Sequence, residues 1–387
     1  MDDLSWPVIR CEARGFTFDV HGDAEVAATL TALFAALERP AGGPRAVFSV
    51  GREAGDGTPW QVRMDGALMM GCEQLGEALH GLIVYVNQRV VTARDDLLSL
   101  HAAAVAIRDE AVVLPGNSGS GKTTLCARLL QQGADYLSDD SVGLAGDGRL
   151  LGYPKPLGFK AGTWEHFTGG GLDDLDLDQG VQLVWQIPPS RLGACSVASA
   201  DPVAVVVPRF EARAELRVER MSRHTTATAL LEQSQNLLTF GVPGALELIG
   251  RLAAGAPGYV VVYGDARQAA SAVLDLIGSA RNDVAAYEVV ASRSRGETFT
   301  QPMPAADVSA LCFEDGALLV RGASGEFAAV DGAGSLVWPL LDGHRTVESI
   351  CVELASLFGA HRLDIEADIS RWISDLVDRG FLLSPPL

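Results

Sequence analysis

The chain has 387 residues, more than one hydrophobic core usually organises, so two or three domains are expected. With 48% hydrophobic and 20% charged residues and no low-complexity tract, the composition excludes a disordered chain. A formal net charge of −19 disfavours nucleic acid and anionic lipid as partners.

Residues 1–95 mix strand signals at 46–50 and 61–64 with helical spacing of apolar residues at 24–37 and 73–86, an N-terminal α+β region that names no chemistry. The first ten residues lack the apolar stretch of a signal peptide, and no later run reaches membrane-spanning length, so a cytoplasmic protein off the membrane is expected. The cysteines Cys11, Cys72, Cys126, Cys195, Cys312 and Cys351 are scattered without a CxxC pair; reduced thiols are expected rather than zinc or disulfides.

An α/β stretch, assigned to 96–290, opens with strand signals at 102–107 and 111–114 and closes with a strand at 259–263 and a helix at 266–277. Between Ser279 and Pro304 the chain turns polar and irregular, the composition of an exposed connection. The last segment, 305–387, reads as a hairpin turning at Asp315–Gly316, then helices near 334–341, 347–358 and 365–378.

Gly116-Asn117-Ser118-Gly119-Ser120-Gly121-Lys122-Thr123 fits GxxxxGK[ST] in full, between an apolar run and a helical pattern at 124–131. Glycines let successive N–H groups converge on phosphate oxygens, and the following helix adds its positive end. Gly116 through Thr124 therefore form the expected nucleotide site, for ATP or another NTP. Lys122 is expected to face solvent and neutralise the terminal phosphates, and the Thr123 hydroxyl to ligate Mg²⁺.

Tyr136-Leu137-Ser138-Asp139-Asp140-Ser141 follows directly after that helix and the turn at Gly133, whereas most P-loop proteins carry the metal-side aspartate on a distant strand. With Leu98-Ser99-Leu100-His101-Ala102-Ala103-Ala104-Val105 upstream, residues 101 to about 143 resemble the HPr kinase/phosphorylase family. The resemblance implies an HPr-kinase-like P-loop core, with Asp139 as general base for an attacking hydroxyl, Asp140 as Mg²⁺ ligand and His101 modulating the base; the two aspartates can exchange roles. Lys155, Lys160 and Arg209 are candidates for the cation that offsets charge on the transferred group, with Arg209 favoured because it follows the apolar run 203–207 at a strand end. Asn236, His224, Trp164 and Trp185 have ordinary structural explanations. The family's phosphorolysis signature is not recognisable in 158–194, which favours kinase activity over the reverse reaction. Residues 1–95 do not resemble the family's regulatory domain, so an acceptor other than the phosphocarrier protein is expected.

The C-terminal segment resembles the PqqD family of peptide-binding domains through Gly334-Ser335-Leu336-Val337-Trp338, Leu341-Asp342-Gly343, Arg345-Thr346-Val347-Glu348-Ser349-Ile350 and Asp378-Arg379-Gly380-Phe381-Leu382. The resemblance implies a winged-helix-like recognition domain for leader peptides of ribosomally made, post-translationally modified peptides. A peptide is expected to add to the hairpin edge around 311–319 and to bury side chains against the helix at 365–377. Five arginines and no lysine against thirteen acidic residues in 305–387 argue against DNA as its ligand. A capping or dimerisation domain, and a homo-oligomer, stay compatible with the sequence.

Together these features describe an α/β protein of three parts: a kinase for a Ser or Thr hydroxyl of a precursor peptide captured by residues 305–387. Two other readings stay open: a kinase for a small hydroxylated metabolite, and a nucleotide-switched adaptor that delivers a peptide.

Overall fold

The computed structural model describes residues 6–39, 42–52, 58–160, 163, 167, 184–279, 284–290, 300–359 and 361–384. Trp164, most of 158–194, and 280–283 and 291–299 within the expected connection lie outside the described residues. The chain is mixed α/β and divides into two compact units. The first comprises Met1–Arg220, Gln233–Asn236 and Gly258–Arg281, and the second Met221–Glu232, Leu237–Pro257 and Asn282–Leu387. This division departs from the sequence boundaries. Residues 1–95 group with the glycine-rich loop, and most of 221–257 groups with the C-terminal residues.

The first unit starts with a five-stranded sheet, β1 (Val8–Ala13), β2 (Phe16–Gly22), β3 (Ala46–Arg52), β4 (Trp60–Met64) and β5 (Ala67–Cys72), in that spatial order. Helix α1 (Ala27–Phe34) links β2 to β3, the one parallel pair. Helix α2 (Leu75–Val91) buries Leu75, Ala78, Leu79, Leu82, Val86 and Val90, the i, i+3, i+4, i+7 rows of one apolar stripe. Leu82 and Val86 have no exposed surface, and each contributes about 1.5–3 kcal/mol by leaving water.

A nine-stranded sheet follows. It contains β6 (Leu98–Leu100), β7 (Ala102–Ile107), β8 (Glu110–Pro115), β9 (Asp135–Ser138), β10 (Val142–Leu144), β11 (Leu150–Leu151), β14 (Ser199–Phe210), β15 (Arg217–Arg220) and β16 (Gly258–Tyr263). Strand β14 is central, parallel to β8 and to β16, and its run Val203–Val206 is buried on both faces, as strands covered by helices are. Helices α3 (Lys122–Gln131) and α7 (Ala266–Ser279) contribute to the core against this sheet. Strands β12 (Leu157–Lys160) and β13 (Val184–Ile187) form a separate antiparallel pair.

The second unit is built on a four-stranded antiparallel sheet ordered β17 (Tyr287–Val290), β19 (Val308–Phe313), β20 (Gly316–Arg321), β21 (Phe327–Asp331). Strands β18 (Met303–Pro304) and β22 (Leu382–Leu383) pair beside it. One face packs on α8 (Gly332–Val337), α9 (Val347–Phe358) and α10 (Arg362–Asp378), through residues such as Val308, Leu319, Ile350 and Leu376. The other face, with Leu311, meets α6 (Val242–Gly255), where a Cβ on Gly250 would come within 2.8 Å of Leu311. Helix α4 (Arg223–Glu232) has its first amides capped by Asp315, whose carboxylate accepts from the Arg223 and His224 N–H groups at 2.6 and 3.1 Å. The short α5 (Leu237–Phe240) precedes α6.

Two sequence expectations change here. The stretch read as a connection contains β17, which pairs along β19. The hairpin edge proposed around 311–319 is interior, because β17 covers β19 and β21 covers β20; among the described residues the sheet edges are β17 and β21. A hairpin apolar on both faces and at both edges cannot stay bare, which is why it recruits β17 and the helices of 221–257.

Candidate functional site

A cavity of about 550 Å³ opens in the first unit. The glycine-rich loop, α2, β12 and β13 line it together with His101, Asp139 and Asp140.

The loop leaves β8 at Pro115, which ends the pairing with Ala102, and it enters α3 at Lys122. Gly119 and Gly121 take φ of +88° and +97°, a region glycine enters without strain. At Gly121 a Cβ would also lie 2.2 Å from the Tyr263 hydroxyl, which donates to the Gly121 carbonyl at 3.1 Å, so no larger residue fits. The N–H of Ser120 donates to the Asn117 carbonyl at 3.2 Å and closes the turn. The first amides of α3 have no intrahelical acceptor and make the helix start an anion-favouring end.

Lys122 is 6% exposed, contrary to the expectation of a solvent-facing side chain. Its Nζ donates to the carbonyl of Gly116 and, at 3.2 Å, to that of Asn117, and lies 3.3 Å from His101 Nε2. Burial lowers its pKa, against the pull of Asp140 and Asp139, and Lys160 lowers it further. Lys160 reaches Ser118 Oγ at 2.8 Å, placing a second cation on the loop.

The acidic pair sits where two strand interruptions face each other. His101 separates β6 from β7, and Asp139-Asp140-Ser141 separates β9 from β10; β10 pairs with β6 and β9 with β7, so the two breaks meet. Ser138 Oγ accepts from the Asp140 and Ser141 N–H groups at 3.4 and 3.2 Å and holds the turn. Asp139 is 3% exposed with both oxygens engaged. Oδ1 accepts from Lys155 Nζ at 2.7 Å and Tyr136 Oη at 3.0 Å, and Oδ2 accepts from the Gly158 N–H at 3.2 Å. Burial would lower the pKa of Lys155, but Asp139 and Asp140 outweigh it and the net shift is upward, so the ammonium is retained.

Asp140 is arranged differently. Its Oδ1 is 3.1 Å from His101 Nδ1, its Oδ2 accepts from Asn87 Nδ2 at 3.1 Å, and its side chain keeps 34% exposure. Burial pushes its pKa up, but the His101 hydrogen bond and the charges of Lys155, His101 and Lys122 hold it well below the usual carboxylate range. The Lys122 ammonium can only donate and the carboxylate can only accept, so the proton of a neutral His101 belongs on Nδ1.

Three features given no part in the site from sequence support this centre. Arg14, in the β1–β2 turn at φ +53°, is buried beneath Ser141 and donates to the Ser141 carbonyl and, at 3.3 Å, to its hydroxyl. Burial brings its pKa down to about 10, which leaves it charged at neutral pH. Residues Gln233–Asn236 form the second feature. The Gln233 carbonyl accepts from the His101 N–H at 2.6 Å, and its side chain donates to Asn117 Oδ1 at 3.0 Å. Ser141 Oγ donates to Gln235 Oε1 at 2.9 Å, and Asn236 bridges the Ser99 N–H and the Leu97 carbonyl. Asn87 itself is the third. The only signal for it was a polar residue four positions after the buried Ile83.

Of the residues singled out in the sequence, His101, Lys122, Asp139, Asp140, Thr123, Thr124 and much of the loop line one cavity. Arg209 does not: it is exposed near the end of β14, while the next residue, Phe210, lines the cavity and packs against Tyr263 with ring centres 5.9 Å apart. Alternation along a strand puts neighbours on opposite faces, so only one of the two reaches the site. Lys155, one of three candidate cations, is committed to Asp139.

Residues 316–382 match the family model described as Coenzyme PQQ synthesis protein D (PqqD), a match running from β20 to β22 that stops short of the loop. No curated protein matches the chain. No helix among the described residues is long and apolar enough to cross a membrane.

Proposed function

We propose that the chain is an ATP-using, Mg²⁺-dependent phosphotransferase that phosphorylates a Ser or Thr hydroxyl of a ribosomally made precursor peptide, with residues 305–387 capturing the peptide. The observation that carries the reading is the unbroken row Lys122, His101, Asp140 and Asn87, in contact at 3.3, 3.1 and 3.1 Å, running from the glycine-rich loop to α2. The match to PqqD suggests a role in peptide binding in modified-peptide biosynthesis.

The residues present fit a nucleotide with its metal. Gly119 and Gly121 give the loop its positive-φ turns ahead of the α3 start, two ammonium groups border the loop, and Thr123 and Asp140 line the same cavity. The loop amides, Lys122 and Lys160 would hold the phosphates, with Thr123 and Asp140 holding Mg²⁺. The bound nucleotide and metal supply the transferable phosphoryl group and neutralise its charge. Lys122 and Lys160 offset the negative charge at the loop, and His101, fixed by the Gln233 carbonyl, aligns Asp140. Asp140 then orients the acceptor hydroxyl and takes up its proton.

This moves the base role given to Asp139 from sequence onto Asp140, which also keeps its metal role. Asp139, at the cavity wall but only 3% exposed and with both oxygens engaged, serves by holding Lys155 and the turn. In the second unit, β21 offers the unpaired edge along which a leader can add as a strand. The test is incubation with ATP, Mg²⁺ and short peptides encoded beside the gene, followed by intact-mass spectrometry. Phosphate on a peptide Ser or Thr is expected; phosphate on free small hydroxyl compounds alone would overturn the peptide reading.

A further inference from the structure

Asp140 is joined to Asn87 of α2, and the part of the cavity lined by α2 has a chemistry of its own. Four residues of α2, His80, Ile83, Val84 and Asn87, line it at i, i+3, i+4 and i+7, one face of the helix. Val184 and Gln186 of β13 line the cavity with them. None of the six is an acid, a lysine or an arginine. Burial, with Lys155 next in effect, lowers the pKa of His80, which keeps its ring neutral at pH 7. Its Nδ1 lies 3.2 Å from Gln186 Nε2, an amide that donates, which puts the ring proton on Nε2.

Two acceptors are left over. The Asn87 amide is oriented by Asp140, which can only accept, and so its Oδ1 faces elsewhere; that oxygen and Gln186 Oε1 have no hydrogen-bond partner among the described residues. Both oxygens are buried. Beside them Val84 remains 39% exposed, an aliphatic side chain on the cavity wall.

We propose that this face of α2 with β13 is the acceptor subsite, taking an uncharged peptide segment whose Ser or Thr is flanked by an aliphatic residue that packs on Val84. The N-terminal region, which named no chemistry in sequence, thereby sets acceptor selectivity. The proposal rests on the phosphotransferase reading above. It places the hydroxyl beside Asn87 and Asp140, with its proton going to Asp140 as the oxygen bonds to the γ-phosphorus and the bond to the ADP leaving oxygen breaks.

The test uses the full chain with ATP, Mg²⁺ and a library of N-acetylated, C-amidated pentapeptides, Ser or Thr at the centre and the flanking positions varied, read by mass spectrometry. Wild type is expected to favour aliphatic over Asp or Lys flanks by about tenfold or more. Val84→Glu should move that ratio at least tenfold toward Lys and Arg flanks, and the milder Val84→Thr should weaken the aliphatic preference severalfold. Each ratio is internal to one variant, so a general loss of rate does not move it. Calorimetric titration with ATP runs alongside. Absence of ATP binding contradicts the phosphotransferase reading itself. ATP bound and peptide phosphorylated with a flank preference that ignores residue 84 overturns the subsite alone, whereas ATP bound with no peptide phosphorylated overturns the subsite and the peptide reading together.

Discussion

Asp139 and Lys155 form an ion pair at 2.7 Å in which neither side chain is more than 7% exposed. Removing one partner of such a pair leaves an uncompensated buried charge, at a cost of about 3–5 kcal/mol. Asp139→Asn is therefore expected to lower the thermal midpoint sharply, and Asp139→Asn with Lys155→Met to recover part of the loss. Thermal melts of the two single variants and the double variant form the cycle. Additive losses would mean that the pair is not coupled.

Asp140→Asn should separate from Asp139→Asn. Asp140 is partly exposed and makes no direct salt bridge to Lys155 or Lys122, so the variant's midpoint at pH 7 should fall, but by less than that of Asp139→Asn. Phosphoryl transfer should nonetheless fall by about a hundredfold or more, and the Mg²⁺ requirement should rise. Steady-state rates across a Mg²⁺ titration decide this; an unaltered kcat would move the reacting carboxylate elsewhere.

Acid stability carries the same signature. The folded pKa of Asp140 is depressed, so its contribution is fully present above the ordinary carboxylate pKa of about 3.9 and is lost as pH falls toward the folded value. The difference in Tm, wild type minus Asp140→Asn, should therefore hold steady down to about pH 4 and shrink as pH falls further. A constant difference would show that the pKa is not depressed.

The glycine-rich loop was legible because its letters and its strand and helix flanks are contiguous. The two aspartates were legible as a pair, but their different surroundings were not. These are set by Lys155, sixteen positions on, and by Asn87, fifty-three positions back, partners that only the folded chain brings within reach. Arg209 lies outside the cavity for a local reason: strand alternation puts Phe210 on its wall instead. The apolar hairpin 308–321 was recognised, whereas its two neighbouring strands were not, since β17 is only four residues long and sits in a polar stretch. Arg14 and Gln233 gave no sign at all, because what marks them is a carbonyl or hydroxyl far away in sequence.

Gln233→Ala removes the 3.0 Å hydrogen bond to Asn117 while the backbone contact to His101 persists. One such bond is worth about 1 kcal/mol, so the dissociation constant for ATP should rise about fivefold. Calorimetry reads it, and an unchanged constant would mean that the loop does not rely on Gln233.

A chain ending at residue 290 should not fold as an independent enzyme. It lacks Asp315, which caps α4, and β19, against which α6 packs through Gly250. Hydrogen exchange across 221–257 should be fast in that fragment and slow in the full chain. Equal protection would show that the helices are held by something other than the C-terminal sheet.

The central claim is that the loop, His101 and Asp140 transfer phosphate to a peptide. Its most direct measurement is intact-peptide mass spectrometry of a neighbouring encoded peptide incubated with ATP, Mg²⁺ and either wild type, Lys122→Met or Asp140→Asn. The account predicts a gain of phosphate on a Ser or Thr with wild type, reduced about a hundredfold or more with each variant. Equal phosphorylation by all three proteins, or none by wild type while free small hydroxyl compounds are phosphorylated, would contradict it.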